Sequence, residues 1–314
     1  MPVKPAGVMV VAIFGPTAAG KSRVAAAVAR ELGGEVISAD SMQVYSGLAV
    51  LTDQPLGSDM TEVPHHLVGT VPLTEEYSAA RFAGEAAAAI SEVTERGNLP
   101  LLVGGTGLYI RALLGGFSFA GSAGASARQG WQEFIESEGI AAAARELERL
   151  DPQAARVVDK DNPRRLLRAL EAAAGPGPSI ADERSRLWSP ESKYRVLCFG
   201  LDLPRDELFR AIEGRVDAML SVGAVEEVAE ALKGEVSRTA SQAIGFKEIQ
   251  RYLEGQMTLA EAAAVIKQKS RRYAKRQLTW MRKMPDTVRI GLANRDYEAA
   301  AASIIEQIQA VYAV

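Results

Sequence analysis

The chain has 314 residues, of which 47% are apolar and 24% charged, with a formal net charge of −3 at pH 7. That length allows more than one average domain and a large core, and the composition is that of a soluble globular protein. One cysteine excludes a disulfide framework and a cysteine-rich metal site, no apolar run reaches membrane-spanning length, and the charge balance excludes a global nucleic-acid footprint.

Residues 1–9 carry no signal-peptide profile, so a cytoplasmic location without a membrane partner is expected. The hydrophobic run 8–14 reads as a strand and leads into Gly15-Pro16-Thr17-Ala18-Ala19-Gly20-Lys21-Ser22, with helix-forming residues from Arg23 onward. This is GxxxxGK[ST] between a strand and a helix, the context that gives the motif its meaning. Glycine lets the backbone turn tightly around phosphate, successive N–H groups point inward, and the helix adds its positive end. Lys21 adds a full charge, and the Ser22 hydroxyl is a candidate ligand for Mg²⁺ bridging phosphates. An ordinary strand–turn–helix would need both glycines, the lysine and both flanking elements to coincide. A di- or polyphosphate ligand is expected, and the loop alone leaves open which.

Residues 35–38 read as a second strand, after the helix terminator Gly33-Gly34, and run into Asp40-Ser41-Met42-Gln43. In a parallel sheet Asp40 stands at a strand's carboxyl end, where such sheets bind ligands. Its other reading is a cap for the turn that follows. Residues 46–76 look irregular. They include the only two histidines, His65 and His66. Neighbouring side chains on a strand diverge and no carboxylate or thiol cluster accompanies them, so packing and hydrogen bonding are expected rather than metal ligation.

A helix is expected over 78–94 and a strand over 99–103, ending in Gly104-Gly105-Thr106-Gly107. Glycines there imply close backbone approach, either to a ligand or to the first loop. A phosphate-hydrolysing relative would carry an acid at that strand end, so Asp40 is left as the acid on the metal side. Residues 115–130 are rich in Gly, Ser and Ala and read as a flexible connector. Helices follow over 131–149 and 162–174, the latter bearing Arg164, Arg165 and Arg168, and no convincing strand appears between 117 and 189. Strand character returns at 194–203, then a helix over 204–222 carrying Arg215. Residues 267–283 hold eight basic side chains, no acidic ones, and the interleaved rings Tyr273 and Trp280. Such a basic helix suits a phosphate backbone, although a solvated face with both rings in the core satisfies the same pattern. A last strand over 287–292 and a closing helix over 296–314 complete the chain.

Taken together, GPTAAGKS at 15–22, ISADSMQVYSG at 37–47, VPHHL at 63–67 and LLVGGTGLYIRALLGG at 101–116 resemble the tRNA dimethylallyltransferase (tRNA isopentenyltransferase) family. DNPRRLLRALE at 161–171, SQAIGFKEIQRYLEG at 241–255 and SRRYAKRQLTWMR at 270–282 extend the resemblance over nearly the whole chain. It implies an α/β fold, a parallel-sheet core of the phosphate-loop NTPase kind with an inserted all-helical domain. The expected division is 1–116 and 190–314 for the core and 117–189 for the insertion, which would grip the anticodon stem, with the RNA-binding helix at 267–283.

The implied reaction moves a dimethylallyl group from dimethylallyl diphosphate to N6 of adenosine 37, in tRNAs with adenosines at 36, 37 and 38, with Mg²⁺ as cofactor. Carried onto this chain, Asp40 is the base, Arg215 neutralises the departing diphosphate, and Thr17 acts beside them. Gly15, Thr17, Ala18, Ala19, Gly20, Lys21 and Ser22 would hold the diphosphate. Gln43, Gly104, Gly105 and Thr106 would line the adenine pocket, and Ser41 would belong to the tRNA site beside them. Arg164, Arg165, Gln242, Lys247, Lys275, Arg276 and Gln277 would meet the tRNA. A monomer with no obligatory protein partner is expected.

The chain departs from the family in reading LAVLTDQP at 48–55, with Gln54 at the usual lysine position, and in Ser270 for a common threonine. Two other classes stay open at this point. One is a small-molecule or nucleotide kinase using ATP, with the basic helix as a lid; the other is an RNA-binding protein with a relic phosphate loop.

Overall fold

A computed structural model describes residues 7–55, 62–115, 125–187 and 191–312. It forms two compact units, Met1–Leu114 with Ser192–Val314, and Gly115–Glu191. Most of the connector expected over 115–130 lies outside the described residues.

The first unit is built on six parallel strands: β1 Met9–Phe14, β2 Gly34–Ala39, β3 His65–His66, β4 Leu99–Gly104, β5 Arg195–Asp202 and β6 Thr287–Gly291. Their order is β3-β2-β4-β1-β5-β6. Strands covered on both faces are apolar almost throughout, which is why β1 and β4 read as near-continuous hydrophobic runs, while the polar Glu35 and Ser38 of β2 are buried and hydrogen-bonded. Val10, Val11, Ala12, Ile13 and Phe14 of β1 are fully buried. The register sets Phe14 opposite both Gly104 and Gly200, and Ala39 opposite Gly104. β1, β2 and β4 therefore end level, so the loops that follow them spring from one edge. β1 leads towards β2 on one side and β5 towards β6 on the other, which opens a crevice above the strand ends.

Helices α1 Lys21–Leu32, α2 Ala49–Thr52, α3 Ala79–Glu95 and α4 Gly107–Leu114 precede the second unit. That unit contains α5 Ala125–Leu150, α6 Pro152–Val157, α7 Pro163–Ala174 and α8 Ile180–Arg186. The first unit resumes with α9 Arg205–Ser221, α10 Ala224–Ala231, α11 Phe246–Leu253, α12 Leu259–Lys283 and α13 Tyr297–Tyr312. One sheet face is packed by Val24 and Val28 of α1 with Ile304 and Ile308 of α13; the other by Phe82 and Ile90 of α3 with Ile110 of α4. A third apolar cluster joins Leu51, Val216, Phe246 and Ile266, and so ties α2, α9, α11 and α12 together.

The second unit packs Leu147, Ala154, Leu166 and Leu170 around a small core of its own. Its short helices are set by their caps. Asp151 accepts from Ala154 N–H at 2.9 Å and Asn162 from Arg165 N–H at 3.2 Å, each followed by a proline at the first helical position. Gly139, at φ +84°, breaks α5.

Two expectations need correction. Residues 46–76 are not wholly irregular, because α2 and β3 lie among them; four- and two-residue elements give no periodic signal. The basic helix begins at Leu259, where Thr258 and Glu261 cap each other through their backbone N–H groups, at 3.2 and 2.7 Å.

Candidate active site

The phosphate loop joins β1 to α1. Gly20 adopts φ +83°, and a Cβ there would stand 2.1 Å from the Tyr297 ring, so conformation and packing both require glycine. Ala18 is also left-handed, at φ +63°, a cost the loop bears to curl. The N–H groups of Gly20, Lys21 and Ser22 find no protein acceptor among the described residues and stand at the positive end of α1. Lys21 folds back over the loop, its Nζ donating to Pro16 O at 2.8 Å. Together these groups form an anion cradle.

Loss of hydration pushes the Lys21 ammonium down to about 8. Arg215 pushes the same way, against the opposing pull of Asp40 and Asp53. An arriving anion would relieve both penalties.

Asp40 follows β2 directly. Its Oδ1 accepts from Met42 N–H at 2.9 Å and Gln43 N–H at 3.4 Å, so it caps the turn as well as facing the site. Oδ2 makes no hydrogen bond among the described residues. Beside it, Ser41 N–H donates to Thr106 Oγ1 at 3.1 Å, fixing the turn after β2 to the turn after β4. The Gln43 carboxamide accepts from Ser38 Oγ at 3.1 Å and donates to Asp53 O at 2.7 Å. Gln54 donates to Gln43 O at 3.0 Å and Tyr45 O at 2.7 Å. A neutral amide thus straps the Asp40–Tyr45 segment where the resemblance places a lysine.

Arg215, on α9, donates to Thr17 Oγ1 and lies 3.3 Å from Asp53. Lys21, Asp40, Gln43, Thr17, Gly104 and Arg215 line one cavity of about 1010 Å³. Tyr273 of α12 joins them; burial and the nearby Asp40 carboxylate hold its phenol well above the usual range.

Other expected site residues stand elsewhere. Gln277 was expected at the tRNA, but it is buried and spent inside. Its Oε1 accepts from Thr17 N–H at 2.7 Å and its Nε2 donates to Gly105 O at 3.1 Å, bracing the two glycine loops. Gly105 is in turn sealed from the cavity, since a Cβ there would meet Gln277 at 1.9 Å and Gly15 O at 3.2 Å. The second glycine turn therefore approaches the first loop and Gln277. Gln242, Lys247, Lys275 and Arg276 are exposed and outside the cavity lining. In the second unit Arg164 is exposed, while Arg165 pairs with Asp159 at 3.1 Å and Arg168 with Glu183 at 3.8 Å. The triplet is thus less positive than its sequence implies.

The basic block of α12 is also partly neutralised: Lys267 pairs with Asp217, Lys269 with Glu248 and Arg271 with Glu213. Tyr273 and Trp280 face inward, the Trp280 ring filling the space beside Gly107.

Asp53 carries no motif signal, and neither do Arg23, Arg295 and Tyr297, which adjoin the phosphate loop; only contact reveals them. Among the described residues no group of three or more His, Cys, Asp or Glu could hold a metal ion. A Mg²⁺ site here would draw on Ser22 and on phosphate oxygens, as this ion commonly does.

The family model described as IPP transferase matches residues 43–284. A tRNA dimethylallyltransferase of Pelotomaculum thermopropionicum is 40% identical over 295 residues, covering 93% of this chain and 94% of that protein. Another, from Desulforudis audaxviator, is 43% identical over 278 residues, covering 87% and 88%. Among solved structures, the full-length tRNA isopentenylpyrophosphate transferase of Bacillus halodurans is similar with a TM-score of 0.72 and 37% identity, over 97% of this chain and 96% of that one. A eukaryotic dimethylallyltransferase, described as acting on tRNA, reaches a TM-score of 0.82 at 27% identity, over 96% and 80%.

Proposed function

Since the chain belongs to the IPP transferase family, we propose that it is a tRNA dimethylallyltransferase and transfers the group from dimethylallyl diphosphate to N6 of adenosine 37. The observation that carries the reading is the meeting of an anion cradle, a carboxylate and an arginine on one cavity.

In this reading the N6 lone pair attacks C1 of the allyl group. The C1–O bond breaks, its electron pair leaves with the diphosphate, and the N6 proton passes to Asp40 Oδ2. Oδ1 is occupied by the turn, which fixes the carboxylate's orientation. Lys21, Arg215 and the N-terminus of α1 oppose the charge growing on the leaving group. Arg215 also holds the Thr17 hydroxyl beside it. Mg²⁺, held by Ser22 and the phosphates, would supply further charge neutralisation.

Adenosine 37 must leave its stack to reach Asp40. The helical unit, through Arg164 and its neighbours, would grip the anticodon stem. Exposed Lys275 and Arg276 of α12, with Gln242 and Lys247, would contact the RNA backbone. We take the protein to act as a monomer, because every group named in the chemical step comes from one chain, and to work in the cytoplasm, as its tRNA substrate implies.

The test incubates the protein with Mg²⁺, radiolabelled dimethylallyl diphosphate and unmodified tRNA, alongside the same tRNA carrying guanosine at 37. Label should enter the first and not the second. Phosphate moving from ATP to a small molecule, without label in either tRNA, would replace the reading with the kinase one.

A further inference from the structure

A second cavity, of about 750 Å³, lies beside the first and is unused by the chemistry above. Three chain segments serve both. Helix α9 gives Glu207 and Arg210 to the first and Arg205, Leu208 and Phe209 to the second. Helix α12 gives Ser270 and Tyr273 to the first, and Lys275, Leu278, Thr279 and Arg282 to the second. The segment after β6 gives Arg295 to one and Leu292 to the other.

The second cavity has an apolar floor and a charged rim. Leu203, Leu208 and Leu292 are buried beneath it, with Phe209 and Leu278 half-buried. The Arg205 guanidinium lies 5.2 Å from the centre of the Phe209 ring. Lys275, Leu278, Thr279 and Arg282 share one face of α12 by their spacing of three and four. Arg205, Lys275 and Arg282 have no ion-pair partner among the described residues, unlike Lys267, Lys269 and Arg271 on the same helix. One carboxylate stands among these cations, Asp202, half-exposed and 3.9 Å from Arg289.

We propose that this cavity binds a second, unstacked nucleotide of the tRNA substrate, a reading that rests on the proposed function. The base would lie on the apolar floor against Phe209 and the Arg205 plane, as single-stranded bases do on aromatic and guanidinium surfaces. Lys275 and Arg282 would take its phosphate. Asp202 would accept a hydrogen bond from an exocyclic amino or ring N–H group. A simple phosphate-binding patch has no use for a carboxylate among its cations or for a floor of leucines.

The charge of Asp202 makes the proposal testable by sign. Binding of unmodified tRNA to the full chain is measured at fixed salt for the wild type, Asp202→Ala and Thr279→Trp, the last filling the cavity without changing charge. Each variant should weaken binding by roughly tenfold, the order expected for one stacked base. Inhibition by inorganic diphosphate should not change. General electrostatic attraction predicts the opposite for Asp202→Ala, since removing a negative charge tightens binding. Equal or tighter binding by Asp202→Ala, with Thr279→Trp unchanged, would overturn the proposal. If the wild type binds tRNA but never prenylates it, the proposed function fails and the cavity's role stands. If both variants prenylate at the wild-type KM, the cavity's role fails and the function stands.

Discussion

Gln277 holds the two glycine loops at one spacing, with its carboxamide shared between Thr17 N–H and Gly105 O. Replacing it with leucine of similar volume would leave the buried Gly105 carbonyl unpaired, at a cost of about 1–3 kcal/mol, and would take its acceptor from the part-buried Thr17 N–H. Gln277→Leu should lower the denaturant midpoint and raise the KM for dimethylallyl diphosphate. A variant as stable as the wild type, altered only in its KM for tRNA, would return Gln277 to the RNA surface. Lys21 offers a second residue-scale test. Its value of about 8, against an ordinary 10.5, means that the free protein loses this positive charge as pH rises through about 8. Diphosphate binding should weaken above that pH relative to Lys21→Arg, whose charge persists. Parallel pH profiles for the two proteins would contradict the depressed value.

At the scale of elements, β2 is anchored by Glu35 at its start. Glu35 accepts from Arg96 at 2.6 and 2.9 Å and from Asn98 at 2.7 Å, with His66 of β3 at 2.6 Å. The Arg96 hydrogen bonds, helped by Asn98 and His66, hold the carboxyl at about 2 against the opposing effect of burial. A depressed carboxyl stabilises fully above its unfolded value near 4.5 and loses that contribution as pH falls towards 2. In urea titrations the gap between wild type and Glu35→Gln should be about 2 kcal/mol at pH 7 and should narrow through pH 3. A gap that is constant with pH would remove the carboxylate from the account.

Helix α12 divides its cations by partner. Lys269→Ala should cost stability, because it strands the buried Glu248, and should leave tRNA affinity nearly unchanged. Arg276→Ala should do the reverse and lower the slope of log affinity against log salt by about one. Equal effects of the two substitutions on affinity would mean that the ion pairs do not sort the helix. Sequence shows eight basic residues in that stretch, but not Asp217, Glu213 and Glu248, which neutralise three of them from other helices.

Across the whole molecule, what was legible is what local sequence dictates. The strand–loop–helix at 8–30, the short run before Asp40 and the glycine turn at 104–107 each carry their reason in neighbouring residues. Parallel pairing then brings their ends level, a consequence of topology that the hydrophobic runs foreshadow. Contacts between distant segments were not legible: Gln277 with Thr17, Tyr297 over Gly20, and Asp53 with Arg215. No spacing rule links residues more than a hundred positions apart, and a buried glutamine looks like any other in a basic helix.

In the proposed step Asp40 takes the proton from the amine while the phosphate loop holds the leaving group. Single-turnover transfer of radiolabelled dimethylallyl to unmodified tRNA, by Asp40→Asn against the wild type, tests it most directly. The expected rate is lower by about a hundred- to ten-thousand-fold, the range for losing a general base, with tRNA and diphosphate binding preserved. An unchanged rate would contradict it, leaving Asp40 as no more than the cap of its own turn.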